Sequence, residues 1–228
     1  MSNSYFIEFR FHGYPKHYLR GLINDVAHKF KVKGAIKYRP VPHMTLFDPF
    51  QTAEFHSIFS KIEKVCKKHR LVPFEMQGFD WRNSKNGKVI AVGVNALPEL
   101  TNLRRELAKE LTEISTQRQS WDSQNDYWFH STIAMKDIDH KFNRIWSHVN
   151  AKEKPHINQH LVRITVLNRK RRIEREYDLV LQRWLNRREA LSKRLFQKTI
   201  NRLRELQGLP VEKPLSLIGR FKRMFGFG

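Results

Sequence analysis

The chain has 228 residues, 40% hydrophobic and 12% aromatic, which suits one substantial core or two small lobes sharing an interface and excludes a disordered chain. Its 43 Lys and Arg against 22 Asp and Glu give a formal charge of +21, more than solubility asks for, which points to a polyanionic partner such as RNA, DNA or an anionic membrane surface. The single cysteine, Cys66, cannot close an intrachain disulfide, so a buried thiol in a reducing, cytoplasmic setting is expected. No run reaches the ~18 apolar residues of a membrane span, and Glu8 and Arg10 interrupt the one early apolar run that could imitate a signal peptide.

"YFIEFRF" (5–11) alternates in the manner of a strand, and from Pro15 the period changes, with Leu19, Leu22, Ile23, Val26 and Phe30 forming the stripe of an amphipathic helix. A proline-punctuated approach leads into the short apolar strand of "PHMTLFDPF" (42–50), and Phe55, Ile58, Phe59, Ile62 and Val65 predict a second helix. "VPFEMQGFDWR" and "KVIAVGVNAL" read as two strands joined through an Asn-Gly turn. After Pro98, Leu100, Leu103, Leu107, Leu111 and Ile114 mark a third helix, and a polar loop leads to "YWFHSTIAM" (127–135), another strand. "HLVRITVLN" and "REYDLVLQRWL" look like a closing pair of strands.

The order strand, helix, strand bearing His-x-Thr occurs twice. Two such units must pack together to bury both apolar helix faces, which predicts a two-lobed α/β or α+β domain over 1–186. Beyond it, a basic amphipathic extension runs from 187 to 228, with Leu191, Leu195, Ile200, Leu203 and Leu206 at helical spacing before a basic and apolar last segment, 214–228.

On a strand, His43 and Thr45 point one way while Met44 and Leu46 point the other, and the same alternation groups His130 with Thr132. If the two strands face each other, two imidazoles and two hydroxyls meet in one cleft. Opening or forming a phosphodiester needs one group to take a proton from the attacking oxygen and another to give one to the departing oxygen. Two histidines with ordinary pKa values near 6.5 can divide those tasks, and threonine hydroxyls can donate to the non-bridging phosphate oxygens. A metal site using Asp48 or Asp137 would want convergent i, i+2 or i, i+4 ligands, and Asp48 faces away from His43 along a regular strand. No metal and no cofactor are therefore expected. Tyr127 is the candidate to stack a nucleobase, and Trp128 is read as core packing.

With these residues in place the chain resembles the 2H phosphoesterase superfamily, and within it the 2′-5′ RNA ligase and cyclic phosphodiesterase members. The paired motif is met by His43, Thr45 and Leu46 and by His130, Thr132 and Ile133, in a resemblance covering roughly residues 5–185. It implies an α+β fold of two pseudo-symmetric lobes, each an antiparallel sheet with helices on its outer face, around a central cleft. It also implies metal-independent hydrolysis, or reversible joining, of 2′,3′-cyclic or 2′,5′ phosphodiesters in RNA or nucleotides. One of His43 and His130 would act as base and the other as acid, with Thr45 and Thr132 on the phosphate. Two positions depart from the pattern: Asp48 stands where many relatives carry glycine, and Met135 where ligase-like members carry arginine, with Lys136 next to it as the substitute substrate contact.

The expected partner is RNA or a nucleotide with a cyclic or 2′,5′ phosphate, bound by a monomer, with anionic membrane contact through the extension as a further option. Two competing readings are a basic RNA-binding protein on the same scaffold with little catalysis, and a phosphodiesterase anchored to a membrane by its tail.

Overall fold

The structure, a computed structural model, describes residues 3–37, 41–123 and 126–211. In chain order its elements are β1 (Asn3–Arg10), α1 (Gly13–Phe30), β2 (His43–Thr52), α2 (Phe55–Cys66), β3 (Pro73–Ser84), β4 (Gly87–Asn95) and α3 (Pro98–Ile114). There follow β5 (His130–Met135), α4 (Phe142–Asn150), β6 (His156–His160), β7 (Arg163–Asn168), β8 (Ile173–Asp178), β9 (Arg183–Asn186), α5 (Arg187–Ala190) and α6 (Lys193–Leu206). The strands form two antiparallel sheets, ordered β2-β1-β7-β8-β9 and β5-β4-β3-β6. This is the expected two-lobed α+β arrangement.

The helices are exchanged between the lobes. α1 joins β1 to β2 of the first sheet but lies against β5 of the second and against α4, whereas α3 joins β4 to β5 of the second sheet but packs on α2 and β2 of the first. Their apolar stripes require it: Leu19, Leu22, Val26 and Phe30 of α1 and Leu100, Leu103, Leu107 and Leu111 of α3 are all buried in one contiguous core. Each helix is also tied down where it ends. After α1, the Lys33 and Gly34 amides donate to the Asp137 carboxylate just past β5, at 2.7 and 3.0 Å. After α3, Thr116 N–H donates to the C=O of Gln51 on β2, and Gln51 N–H donates to Gln117 C=O, both at 2.8 Å. Each crossover thus fixes the far end of the other lobe's histidine-bearing strand.

The β3–β4 hairpin forms where the Asn-Gly pair predicts it. Gly87 takes φ 94°, and a Cβ there would run into the Asp139 carboxylate, which accepts from Lys88 N–H at 2.8 Å.

Three expectations are corrected. The last predicted strand, 175–185, is two strands: Asp178 accepts from the Val180 and Leu181 amides, Gln182 takes φ 53°, and the chain turns between β8 and β9. The strand bearing His130 begins at that residue rather than at Tyr127. α4 and β6 were not expected; α4 buries only Phe142, Ile145 and Val149, and β6 is a polar edge strand without apolar alternation, so neither carries much of a periodic signal.

α6 does not stand away from the lobes. Thr199 and Leu203 are buried and Phe196 and Leu206 pack against the core, so this helix is docked on the domain through part of its apolar stripe. Arg163 on β7 donates to Thr199 Oγ1 at 2.7 Å and pairs with Asp178 and Glu176 at 3.0 and 3.3 Å. Thr45, Glu8, Thr165 and Glu176 are register partners in one row across the first sheet, so they share a face. α6 therefore covers part of the face that carries the first His-x-Thr pair, opposite α2 and α3. The basic segment 214–228 lies outside the described residues. Among the described residues no helix is long and apolar enough to cross a membrane.

Candidate active site

β2 and β5 are the edge strands of their sheets and run beside each other at the junction of the lobes. Met44, Leu46, Ser131 and Ile133 are buried, and His43, Thr45, His130 and Thr132 are only partly so. The alternation read from the sequence thus holds on both strands and turns both pairs to the same side. Among the described residues neither threonine hydroxyl has a protein partner, so both remain available to a ligand.

The histidines are held alike. His43 Nδ1 donates to the Val41 carbonyl at 2.9 Å and His130 Nδ1 to the Trp128 carbonyl at 2.8 Å. A carbonyl can only accept, so Nδ1 carries the proton in each ring and Nε2 is left for chemistry.

Their surroundings differ. Beside His43, the buried Glu8 carboxylate lies 3.8 Å from Nε2 and accepts from Arg10 Nε at 2.7 Å, while the Phe6 ring meets the imidazole edge-on at 5.9 Å. Arg171, from the basic β7–β8 turn, lies 5.6 Å from the same phenyl ring. His130 instead lies flat on Trp128, with ring centroids 3.8 Å apart and planes at 15°. Trp128, expected as core packing, is a member of the site: its Nε1 donates to Asp80 at 2.9 Å and the Arg82 guanidinium sits 4.9 Å from its ring. Burial first, then the nearby positive charges of His43 and Arg82, push the His130 pKa down to about 4 against the opposing pull of its bond to the Trp128 carbonyl.

Tyr127, the candidate base stacker, has its ring 3.8 Å from the Arg104 guanidinium and 5.0 Å from Phe129, and its hydroxyl donates to the Thr45 carbonyl at 3.3 Å. The buried Arg104 donates to Asp122 at 3.3 Å, and Asp122 accepts from Asp48 N–H at 3.1 Å. Burial raises the Asp122 pKa to about 6, and the Asp48 charge adds to it. Asp48, the departure from the family pattern, thus belongs to a charged cluster behind the first motif. Lys136 is exposed beyond the end of β5, six residues and about 20 Å of strand from His130.

Sequence reasoning missed Glu8 and Phe6 as neighbours of His43, although the alternation of β1 places them on its polar face. Among the described residues no group of three or more His, Cys, Asp or Glu side chains is placed to hold a metal ion.

A family model described as the 2′-5′ RNA ligase superfamily matches residues 20–172. No curated protein matches the chain. Among solved structures, TT0787 of Thermus thermophilus superposes at TM-score 0.50 and 14% identity, covering 78% of this chain and 98% of that one. Usb1 of Kluyveromyces marxianus gives 0.45 and 10%, covering 72% and 93%. LigT of E. coli, complexed with 3′-AMP, gives 0.45 and 16%, covering 74% and 88%.

Proposed function

The chain belongs to the 2′-5′ RNA ligase superfamily, and on that footing we propose that it is a metal-independent phosphoesterase acting on 2′,3′-cyclic or 2′,5′-linked phosphodiesters at RNA ends or in nucleotides. The observation that carries the reading is the pair of His-x-Thr strands lying side by side, each imidazole held through Nδ1 so that Nε2 is not taken by a hydrogen bond to the described residues.

In this reading the phosphate sits between the threonine hydroxyls, which donate to its non-bridging oxygens as phosphorus becomes five-coordinate. His130 is the base. Its desolvated ring stays neutral at pH 7, and Nε2 takes a proton from the attacking water as the new O–P bond forms. His43 is the acid: it gives its Nε2 proton to the ribose oxygen as the old P–O bond breaks, and Glu8 supplies a counter-charge beside the proton-carrying ring. Proton exchange with solvent resets both rings. Running the same steps backwards joins an end to a hydroxyl.

The test replaces His43 and His130 with alanine, singly and together, and assays 2′,3′-cyclic nucleotide, cyclic-ended RNA and 2′,5′-linked oligoadenylate in parallel with chelator present. Each single change is expected to lower kcat by 10²–10⁴-fold with the fold intact by circular dichroism. Turnover unchanged in the double variant sinks the assignment. RNA binding that survives both changes, without turnover in the unaltered chain, favours the non-catalytic RNA-binding reading.

A further inference from the structure

Next to His43 the structure gathers cations from two elements far apart in sequence. Arg10 is the register partner of His43 across β1 and β2, and Phe11 N–H donates to Pro42 C=O at 3.0 Å, so the end of β1 and the start of the first motif are adjacent. α1 begins three residues after Arg10, and Lys16 and Arg20 are one turn apart on it. The extension arrives at the same place. Phe196 meets His12, at the head of α1, with centroids 4.9 Å apart, and Arg163 reaches the Ala190 carbonyl at 3.4 Å, which brings Lys193, the first residue of α6, against the start of α1.

Burial pulls the Lys16 ammonium pKa down, and the charges of Arg20, Arg10 and Lys193 add to the effect. Among the described residues, Lys16, Arg20 and Lys193 have no carboxylate within ion-pair distance, and Glu8 is already taken by Arg10. The lysines of the α2 region are placed differently: Lys61, Lys64 and Lys68 are each bonded to Glu106, Glu110 or Glu113. A cluster of like charges, with Lys16 and Arg10 partly buried and Arg20 and Lys193 exposed, adjoining the reactive histidine, is suited to be neutralised by an anionic ligand.

We infer that Lys16, Arg20 and Lys193, with Arg10 behind them, form a second phosphate subsite that grips the backbone of a single-stranded RNA one or two nucleotides from the phosphate in the cleft, so that the preferred substrate is an RNA end rather than a mononucleotide. The inference rests on the phosphoesterase reading and extends it. It also gives the extension beyond residue 186 a share in substrate binding, because Lys193 belongs to it.

The experiment compares the full chain with Lys16→Glu/Arg20→Glu, with Lys193→Glu on the other element, and with Arg105→Glu/Lys109→Glu, an exposed pair of the same spacing on α3. A 2′,3′-cyclic mononucleotide and a short oligonucleotide ending in the same cyclic phosphate are assayed, and anisotropy follows binding of an uncleavable single-stranded RNA. The unaltered chain should prefer the oligonucleotide. Both subsite variants should raise its KM about tenfold and lower the salt slope of RNA binding by about 0.7 per lost contact, with kcat/KM for the mononucleotide within about twofold. No oligonucleotide preference in the unaltered chain, or equal losses in the α3 control, overturns the subsite. If the unaltered chain turns over neither substrate, the phosphoesterase reading fails instead, and the anisotropy decides the subsite alone: selective loss in its two variants sustains it, and equal binding by all variants refutes it.

Discussion

Tyr127→Phe removes one oxygen and leaves the ring. That oxygen donates to the Thr45 carbonyl at 3.3 Å and lies 3.5 Å from an Asp48 carboxylate oxygen. Phenylalanine keeps the contact with Arg104 at 3.8 Å and with Phe129 at 5.0 Å. Asp48 keeps its backbone bond to Asp122. What is lost is one long hydrogen bond from a buried donor, worth about 1 kcal/mol, which lowers Tm by about 2–4 °C in a chain of this size. Because that bond joins the approach to His130 to the backbone of Thr45, kcat should fall about three- to tenfold with little change in KM. Urea unfolding and steady-state kinetics on a cyclic phosphate, run also on Tyr127→Leu, separate this from base stacking. A stacking residue would tolerate phenylalanine and lose KM only with leucine. A Phe variant with unaltered kcat, or one destabilised by more than about 3 kcal/mol, refutes the positioning role.

The acidic limb of kcat/KM should fall near the about 4 of His130 rather than at an ordinary 6.5, because the base works only while neutral and its burial lowers the pH at which it becomes protonated. Trp128→Ala exposes that ring and should move the limb up toward 6.5, as a pH–rate profile would record; a limb that stays put contradicts the assigned base. Thr199→Val takes a partner from both Arg163 and Asp178 beneath α6 and should cost about 2–3 kcal/mol in urea unfolding, whereas a loss under 0.5 kcal/mol would mean that α6 docks through its apolar contacts alone.

Much of the site was legible because a strand has an exact twofold period. Once His43 and Thr45 were placed on one strand and His130 and Thr132 on another, the outward and inward sets followed, and the burial of Met44, Leu46, Ser131 and Ile133 bears this out. The helices were legible for the corresponding reason, through leucines three and four apart. What could not be read was tertiary. No periodicity says that α1 crosses to the second sheet and α3 to the first. Trp128 reads as a core filler because an aromatic beside a strand motif usually fills space; only the turn of the chain into β5 lays its ring on His130. Glu8 was visible as a charge in an apolar strand but had no partner until β1 was paired with β2 in a register that sets it across from Thr45.

The two halves of the site are alike in how they hold a histidine and unlike in what surrounds it. Both rings donate from Nδ1 to the carbonyl two residues upstream, so the pseudo-symmetry of the lobes extends to the tautomer. It stops there, with a buried carboxylate beside one ring and, over the other, an indole that itself carries a guanidinium against its face. Two identical imidazoles would compete for the same protonation state, and a reaction that needs one to give while the other takes would be served only by the fraction of molecules in which they differ by chance. Environments that differ remove that loss. On the proposed mechanism the sequence repeat supplies the pair, and the residues that break the repeat, Glu8 on one side and Trp128 with Arg82 on the other, supply the difference that an acid and a base require.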